Sequence, residues 1–572
     1  MQEELPIDIK TSPLYSVDLA PIPKSKRTWG LWDMTAIWIG MAVCIPTYLL
    51  ASYMIKGGLN WLEAMIIIIL GNLIITVPMI LNGHAGVKYG IPFPVIGRAA
   101  FGIKGIHIAS VVRGIVACGW FGIQTWIGGL AFYAIWHALN NTIPSFDLNF
   151  GKFLGFAMFW LLNVYFIWKG TESIKWLEKF AAPILIAIGI GLIAWGTMAV
   201  GSFGKVLEQS TQLGQPVAIL VDDEASSLQL FPLKGTDGSI KAKEYRIVNS
   251  QKNDDSSLWL SVTNYGQIVN LIQVNETVEK GDLAVKFRNN NYTSSEGLIT
   301  NNSSKNSFWS KIWTYLLFLT AMVGFWATMA ISIADITRYT ATQRNQILGQ
   351  FIGLPSTMAL FSFVGIFVTC AAIVVFPDIL IADDAPWDPV SLVGKFKNPT
   401  VVIIAQIFLI IATLSTNIAA NVIAPANAFS NLWPSKISFR TGGIITAFIG
   451  IIICPWWIMN EISNLLIFVS GLLGPVLGIL ICDYFLIRNK VLNIQELFKI
   501  NGIYSYGGGG FNNAAIIALF IGVVIALIGY WVPALNFLYT LSWFTGFFVS
   551  FGLYYLLMTK MDNTKSVDTP SI

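Results

Sequence analysis

The chain has 572 residues, of which 55% are hydrophobic and only 12% charged, with a mean hydropathy of +0.65. A soluble domain carries roughly a quarter charged residues, so this composition excludes a soluble globular protein. Apolar runs of about 20 residues recur, the length that crosses a bilayer as a helix, so the net charge of +4 is assigned to basic loops and not to nucleic-acid binding.

Residues 1–30 form a polar tail that ends in the basic cluster Lys24-Ser25-Lys26-Arg27, so the first helix is expected to act as its own membrane signal. Twelve spans are predicted at about residues 31–55, 60–82, 107–138, 152–169, 176–200, 311–336, 348–376, 400–425, 441–459, 462–486, 513–533 and 536–558. With the N-terminus inside, the inner segments hold Arg27, Lys88, Arg98, Lys104, Lys179, Arg338, Arg440 and Arg488 among others, while the short outer loops hold only Lys56, Lys152, Lys395 and Lys397. Positive charge favours the cytoplasmic side, which places both termini in the cytoplasm; the expected location is the inner (plasma) membrane. Arg113, about two turns inside the third span, is expected to reach out to the membrane edge.

Residues 201–310, between the fifth and sixth spans, read as a small β-rich extracytoplasmic insert. Short apolar–polar runs such as Pro216–Val221 and Leu283–Phe287 are separated by the turn signals Gly235-Thr236-Asp237-Gly238 and Asn289-Asn290-Asn291. Its last part, Thr293–Ser307, is rich in Ser and Asn and reads as a linker. The insert contains no His and no Cys, which excludes a zinc site or a Cys/His nucleophile there. The domains are therefore the tail 1–30, spans one to five over 31–200, the insert 201–310, spans six to ten over 311–487, and the last two spans with a cytoplasmic tail over 488–572. The five cysteines lie in or beside apolar segments without a CxxC pair, as small buried hydrophobes do.

Two polar clusters interrupt the hydrophobic helices: Gly119-Trp120-Phe121-Gly122-Ile123-Gln124-Thr125-Trp126 and Ala412-Thr413-Leu414-Ser415-Thr416-Asn417-Ile418-Ala419-Ala420-Asn421. Polar groups in lipid are costly unless they meet a partner or a wet cavity, so they mark functional sites by default. Amides, hydroxyls and indoles, with no charge among them, suit a neutral, flat, hydrogen-bonding cargo. Trp120 and Gln124 are four residues apart and share a helix face, offering a stacking plane beside a donor and acceptor. The alternative for Gln124 is a hydrogen bond that joins helices. Gly40 and Pro46 in the first span and Gly324 in the sixth form a pair of interruptions, which mark either simple kinks or discontinuous helices around a midplane site.

These clusters, together with Lys26-Arg27-Thr28-Trp29, the run Leu81–Val95 (LNGHAGVKYGIPFPV), Asp335-Ile336-Thr337-Arg338-Tyr339, Leu473-Gly474-Pro475 and Asp483-Tyr484-Phe485, resemble the nucleobase–cation symport-1 family of hydantoin, allantoin, uracil and cytosine carriers. The likeness runs along nearly the whole chain except the insert, where the family has a shorter loop. It implies an all-α polytopic membrane protein of 12 transmembrane helices: two inverted five-helix repeats plus two helices, working by alternating access.

The resemblance also assigns residues. Trp120, Gln124, Trp326 and Asn421 match substrate-lining positions, with the ring expected between Trp120 and Trp326. Asn417 is expected to be structural. Phe325 replaces a glycine of the hydantoin carrier and Cys44 a glutamine, so pocket shape and one polar contact should differ. A sodium site is implied at Ser415, Thr416 and Ala412 with carbonyls of Gly40 and Val43; the alternative for the hydroxyls is a bond to the carbonyl four residues back.

Asp33, Glu63, Asp335, Glu461 and Asp483 all fall near span ends, leaving the midplane without an acid, which favours Na⁺ over H⁺ coupling and argues against a charged substrate. The expected function is symport of a neutral nucleobase or cyclic ureide with a cation, Na⁺, across the lipid bilayer, with no enzymatic activity and no cofactor beyond the transported ion. The rival function is a nutrient sensor that uses the β insert to bind a partner. A membrane-embedded enzyme is disfavoured by three His, no HExxH and no Ser/His or Cys/His constellation.

Overall fold

The computed structural model describes residues 7–142, 148–169, 171–221, 227–249, 258–270, 283–301, 308–459 and 462–567. Sixteen principal helices are numbered here: α1 Leu31–Ala42, α2 Ile45–Lys56, α3 Trp61–Tyr89, α4 Phe93–Phe101, α5 Ile106–Leu139, α6 Phe150–Lys169, α7 Thr171–Val200, α8 Phe308–Phe325, α9 Ala327–Ser332, α10 Gln343–Val375, α11 Pro399–Asn421, α12 Ile423–Leu432, α13 Phe439–Ile452, α14 Ile462–Cys482, α15 Asn513–Leu527 and α16 Ser542–Val567.

Among the described residues, nine helices are long and apolar enough to cross a membrane, and two bent pairs bring the number to eleven. The ninth predicted span, 441–459, differs. Its helix α13 has 14 residues and stops where Cys454 takes a left-handed φ of 55°, before a short turn Pro455–Ile458. Fourteen residues rise roughly 21 Å, short of the ~30 Å hydrocarbon core, so a twelfth full-length span is not seen among the described residues.

Local chemistry explains the helix ends. Asn60 Oδ1 accepts from Leu62 N and Glu63 N at 3.0 and 2.9 Å, while Glu63 Oε2 accepts from Asn60 N at 3.0 Å. This reciprocal capping starts α3, and Gly90 at φ 74° ends it in the left-handed conformation that glycine adopts without strain. The first span breaks at Val43–Cys44 and bends by 59°. Cys44 is extended and Pro46, which lacks an N–H, opens α2 in its first turn, where the donor would be unpaired anyway. The sixth span breaks at Trp326, just after Gly324. A side chain at 324 would collide with Ser470 Oγ, so this glycine also lets α8 lie against α14.

One end of the bundle is closed by buried arginines. Arg98 on α4 is fully buried and donates to the carbonyls of Leu14 and Leu497 at 3.0 and 2.9 Å and to Asn431 Oδ1 at 2.7 Å. Arg27 donates to the Val87 carbonyl at 2.7 Å, which docks the N-terminal segment on α3. Arg113 departs from the sequence expectation. It is fully buried and does not extend to a membrane edge, donating to Ser332 Oγ at 2.9 Å and to the Thr328 carbonyl at 3.3 Å. The short helix α9 supplies these acceptors, and pairing with them offsets part of the cost of burying the charge.

At the opposite end of α10 sits a seven-stranded sheet: β1 Ala218–Leu220, β2 Ser227–Leu230, β3 Glu244–Asn249, β4 Leu260–Ser261, β5 Ile268–Asn270, β6 Leu283–Arg288 and β7 Gly297–Asn301, in the order β4-β3-β6-β7-β1-β2-β5. Antiparallel register places Tyr245 opposite Phe287 and Ile247 opposite Val285, and all four are buried. The two-residue alternation thus turns one face inward. Asn289 Oδ1 accepts from Asn291 N and Tyr292 N, the side-chain turn that the Asn run suggested. Thr293–Ser307 is not a linker throughout: Gly297–Asn301 is a central strand, parallel to β1 and antiparallel to β6. Its polar composition hid it, because strand pairing satisfies the backbone whatever the side chains. Residues 302–307 lie outside the described ones.

The sheet rests on the segment after α10. Leu380 and Ile381 are fully buried in the sheet's core, and Leu233 N donates to the Leu380 carbonyl at 3.0 Å. Asn289 Nδ2 reaches the Pro377 carbonyl at 3.1 Å, and Ser295 N reaches Asp384 Oδ1 at 3.0 Å. Lys241 Nζ donates to the carbonyls of Ile373 and Phe376 at 2.6 and 2.5 Å. These acceptors belong to the end of α10, where helical carbonyls lack partners and a cation is favoured.

Candidate functional site

The two breaks and the two polar clusters meet. Helix α5 brings Trp120 and Gln124, the α8–α9 break brings Phe325 and Trp326, the α1–α2 break brings Gly40, Val43 and Cys44, and α11 brings Ala412, Ser415, Thr416, Asn417 and Asn421. The side chains of Trp120, Gln124, Phe325, Trp326 and Asn421 are all buried.

Aromatic rings form its walls. Trp120 packs edge-to-face on Phe325, with centroids 5.3 Å apart at 82°. Phe325 packs in the same way on Trp326 at 5.1 Å, and Trp326 on Trp38 at 5.3 Å. The indoles of Trp120 and Trp326 therefore share Phe325 as a common neighbour. Space remains nearby: a Cβ added at Gly40 or at Gly119 would meet nothing within 4 Å.

Unpaired polar atoms mark what the walls enclose. Gln124 Oε1, Trp326 Nε1 and Trp38 Nε1 are buried without a hydrogen-bond partner. A buried unpaired group costs about 1–3 kcal/mol, so native structures keep few of them unless something else supplies the bond. Asn421 Nδ2 donates to Asn417 Oδ1 at 3.1 Å. Asn417 in turn places its Nδ2 3.1 Å from Thr125 Oγ1, 3.2 Å from Asn163 Oδ1 and 3.3 Å from the Phe121 carbonyl. This network joins α5, α6 and α11, and it makes Asn417 the anchor that holds Asn421 in place. Cys44 Sγ lies 3.3 Å from Thr47 Oγ1.

A second set of oxygens gathers between α1 and α11. Thr416 Oγ1 lies 3.0 Å from the Ala412 carbonyl and 3.4 Å from the Gly40 carbonyl. Ser415 Oγ is buried and unpaired. At the break, Cys44 N turns to the Ala42 carbonyl at 3.0 Å and Thr47 N to the Cys44 carbonyl at 3.1 Å, so the regular ladder bonds to Gly40 and Val43 are not made. Two hydroxyls and three carbonyls can together offer a hard cation an all-oxygen shell.

The family described as permeases for cytosine/purines, uracil, thiamine and allantoin matches residues 21–225 and 289–546. The chain belongs to this family. The purine-uracil permease NCS1 of Arabidopsis thaliana is 31% identical, the match covering 96% of this chain and 78% of that protein. The allantoin permease of Bacillus subtilis is also 31% identical, over 95% of this chain and 93% of its own length. Two solved structures share the fold: Mhp1 facing inward, with a TM-score of 0.67, 21% identity and coverage of 97% of this chain and 95% of that one, and closed Mhp1 with bromovinylhydantoin bound, with a TM-score of 0.66, 22% identity and 96% coverage of each. The protein is thus a multi-pass membrane permease for a small molecule and not an enzyme.

Among the residues singled out in the sequence, ring contacts join Trp120, Phe325 and Trp326, hydrogen bonds join Asn421 to Asn417 and Thr416 to the Gly40 and Ala412 carbonyls, and Cys44 meets Thr47. Trp38 and Asn163 were not anticipated, and Thr125 was noted only as a member of the first polar cluster. Both of these polar side chains also bond their own turns, Thr125 to the Phe121 carbonyl at 2.6 Å and Asn163 to the Phe159 carbonyl at 2.8 Å, the common fate of such side chains in a helix. The unmatched residues 226–288 hold β2 to β6, so the resemblance stops where most of the sheet begins.

Proposed function

We propose that this permease imports a neutral nucleobase or cyclic ureide together with Na⁺ by alternating access. The observation that carries the proposal is the pair of unpaired groups Gln124 Oε1 and Trp326 Nε1. One accepts and one donates, both stand beside aromatic rings, and neither is charged. A planar lactam or ureide presents the complementary N–H and C=O and a face for the rings. The relatives' names point the same way, to purine, uracil, allantoin and a hydantoin. Trp120, Phe325, Asn421 and Cys44 complete this pocket.

Na⁺ is assigned to Gly40, Val43, Ala412, Ser415 and Thr416, because an unpaired hydroxyl beside released carbonyls suits an ion with oxygen preference. A cation here would draw α1 toward α11 and so favour one conformation through differential affinity. The proposed orientation has both termini in the cytoplasm of an inner (plasma) membrane and the insert 201–310 outside, from the loop charges above. Segments 1–30, 31–200, 311–487 and 488–572 are the tail, first repeat, second repeat and last two helices.

The test is uptake of labelled uracil, cytosine, allantoin and 5-benzylhydantoin into proteoliposomes with and without an inward Na⁺ gradient. Accumulation of one compound with Na⁺ alone supports both halves of the proposal. Accumulation driven by a pH gradient instead removes the sodium site, and no uptake of any compound removes the substrate class.

A further inference from the structure

We infer that Trp38 is a third indole of the substrate site, and that its N–H donates to a carbonyl oxygen of the transported ring. The inference rests on reading the Trp120–Trp326 pocket as the substrate site. Trp38 is fully buried on the half-helix α1, two residues before Gly40. Its ring meets Trp326 edge-to-face at 5.3 Å and 83°. On its other side, Gly353 of α10 lets α1 come so close that a methyl group there would lie 2.8 Å from Trp38 Cβ. The ring is therefore wedged between α10 and the broken sixth span.

In that position Trp38 Nε1 has no partner, and neither does Nε1 of the indole it touches. Indole offers a donor and no acceptor, so the two rings cannot satisfy each other. Two unpaired donors across one ring contact, with Gln124 Oε1 as an unpaired acceptor one turn from Trp120, whose ring meets Phe325 beside Trp326, describe a cargo with two acceptors and one donor. A cyclic imide or ureide, with carbonyl oxygens on either side of an N–H, has that pattern. Trp387 and Trp543 also have buried, unpaired Nε1 atoms; what distinguishes Trp38 is that its open donor lies on a ring packed against Trp326.

The full-length carrier is purified and equilibrium binding measured with uracil, allantoin and 5-benzylhydantoin, the tightest of the three being kept as probe alongside its thiocarbonyl analogue. Trp38→Phe keeps an aromatic ring and removes the donor; benzothienylalanine at position 38 keeps the indole's shape as well and replaces N–H by sulfur. Both are expected to weaken the probe about ten-fold, the loss of one hydrogen bond to a buried group. Both should also shrink the preference for the carbonyl compound over its thio-analogue, because sulfur is the poorer acceptor. Wild-type affinity in the benzothienylalanine protein overturns the inference, as does an equal loss for the carbonyl and thio compounds, which is the mark of a packing role. Gln124→Ala is measured in parallel. If it too leaves the probe unaffected, or if wild type binds none of the three, the pocket assignment itself has failed and Trp38 falls with it.

Discussion

Thr416 Oγ1 reaches across from α11 to within 3.4 Å of the Gly40 carbonyl, at the point where the first span loses its helical ladder. Its neighbour Ser415 has a hydroxyl equally buried but unpaired. The two should therefore respond differently to truncation. Thr416→Ala is expected to abolish Na⁺ stimulation of uptake and to loosen the α1–α11 contact. Ser415→Ala should lower Na⁺ affinity while raising thermal stability in Na⁺-free buffer by about 1 kcal/mol, because it removes an unpaired buried group. Thermal melts in choline and in Na⁺ measure both. An intact Na⁺ response in Thr416→Ala would mean another ion site or coupling to H⁺.

Gln124→Ala and Asn421→Ala are expected to weaken substrate binding, each by roughly ten-fold for one lost hydrogen bond to a buried group. Asn417→Ala should act on folding first, since its amide joins three helices; a loss of about 2 kcal/mol is expected from the partners it leaves unpaired. Binding isotherms beside melting curves separate these effects. Unchanged affinity in both Gln124→Ala and Asn421→Ala would sink the pocket assignment.

Phe325 touches both Trp120 and Trp326, so its removal opens the space between them. Phe325→Gly should lower stability by about 3 kcal/mol or more, in the range for buried Phe truncation. Competition assays should show a gain for bulky 5-substituted hydantoins relative to uracil. Equal losses for small and large rings would place Phe325 outside the pocket wall.

Burial pushes the Lys241 ammonium down to about 8, against the attraction of Asp378 and Asp384 and with the repulsion of Lys395. An unfolded lysine titrates near about 10.4, so between pH 8 and 10 the detached insert binds more protons than the docked one. Docking therefore strengthens as pH rises through that window, by on the order of 1 kcal/mol. Lys241→Met cannot titrate, so the stability difference between wild type and this variant should move in favour of wild type from pH 7.5 to pH 9.5. A difference that is flat with pH would show that the two carbonyl contacts hold the amine charged throughout.

Much of the site was legible in the sequence because polar residues are rare inside membrane helices, so Gln124, Ser415, Thr416 and Asn421 stand out against their surroundings. Trp38 does not stand out: an aromatic in a span reads as core or as a membrane-interface residue, and only its neighbour Trp326 and its open N–H distinguish it. Arg113 was misplaced because its acceptors come from α9, a helix remote in sequence. The insert's apolar run Pro216–Val221 contains strand β1 and Leu283–Phe287 forms all but the last residue of β6, whereas β7 carries too few apolar residues to alternate visibly. The ninth span was overextended because Ile453–Met459 is apolar although Cys454 breaks the helix.

Strands β1 and β7 are adjacent and parallel, and both fall within the residues shared with the family, whereas β2 to β6 fall in the unmatched stretch 226–288. The additional strands thus extend a two-stranded parallel seam on both of its edges, β2 pairing with β1 and β6 with β7, so the chain that leaves β1 at Leu220 crosses over before it enters β7 at Gly297. Any module exchanged for those strands would have to span the length of the seam and would leave both edges of β1 and β7 open.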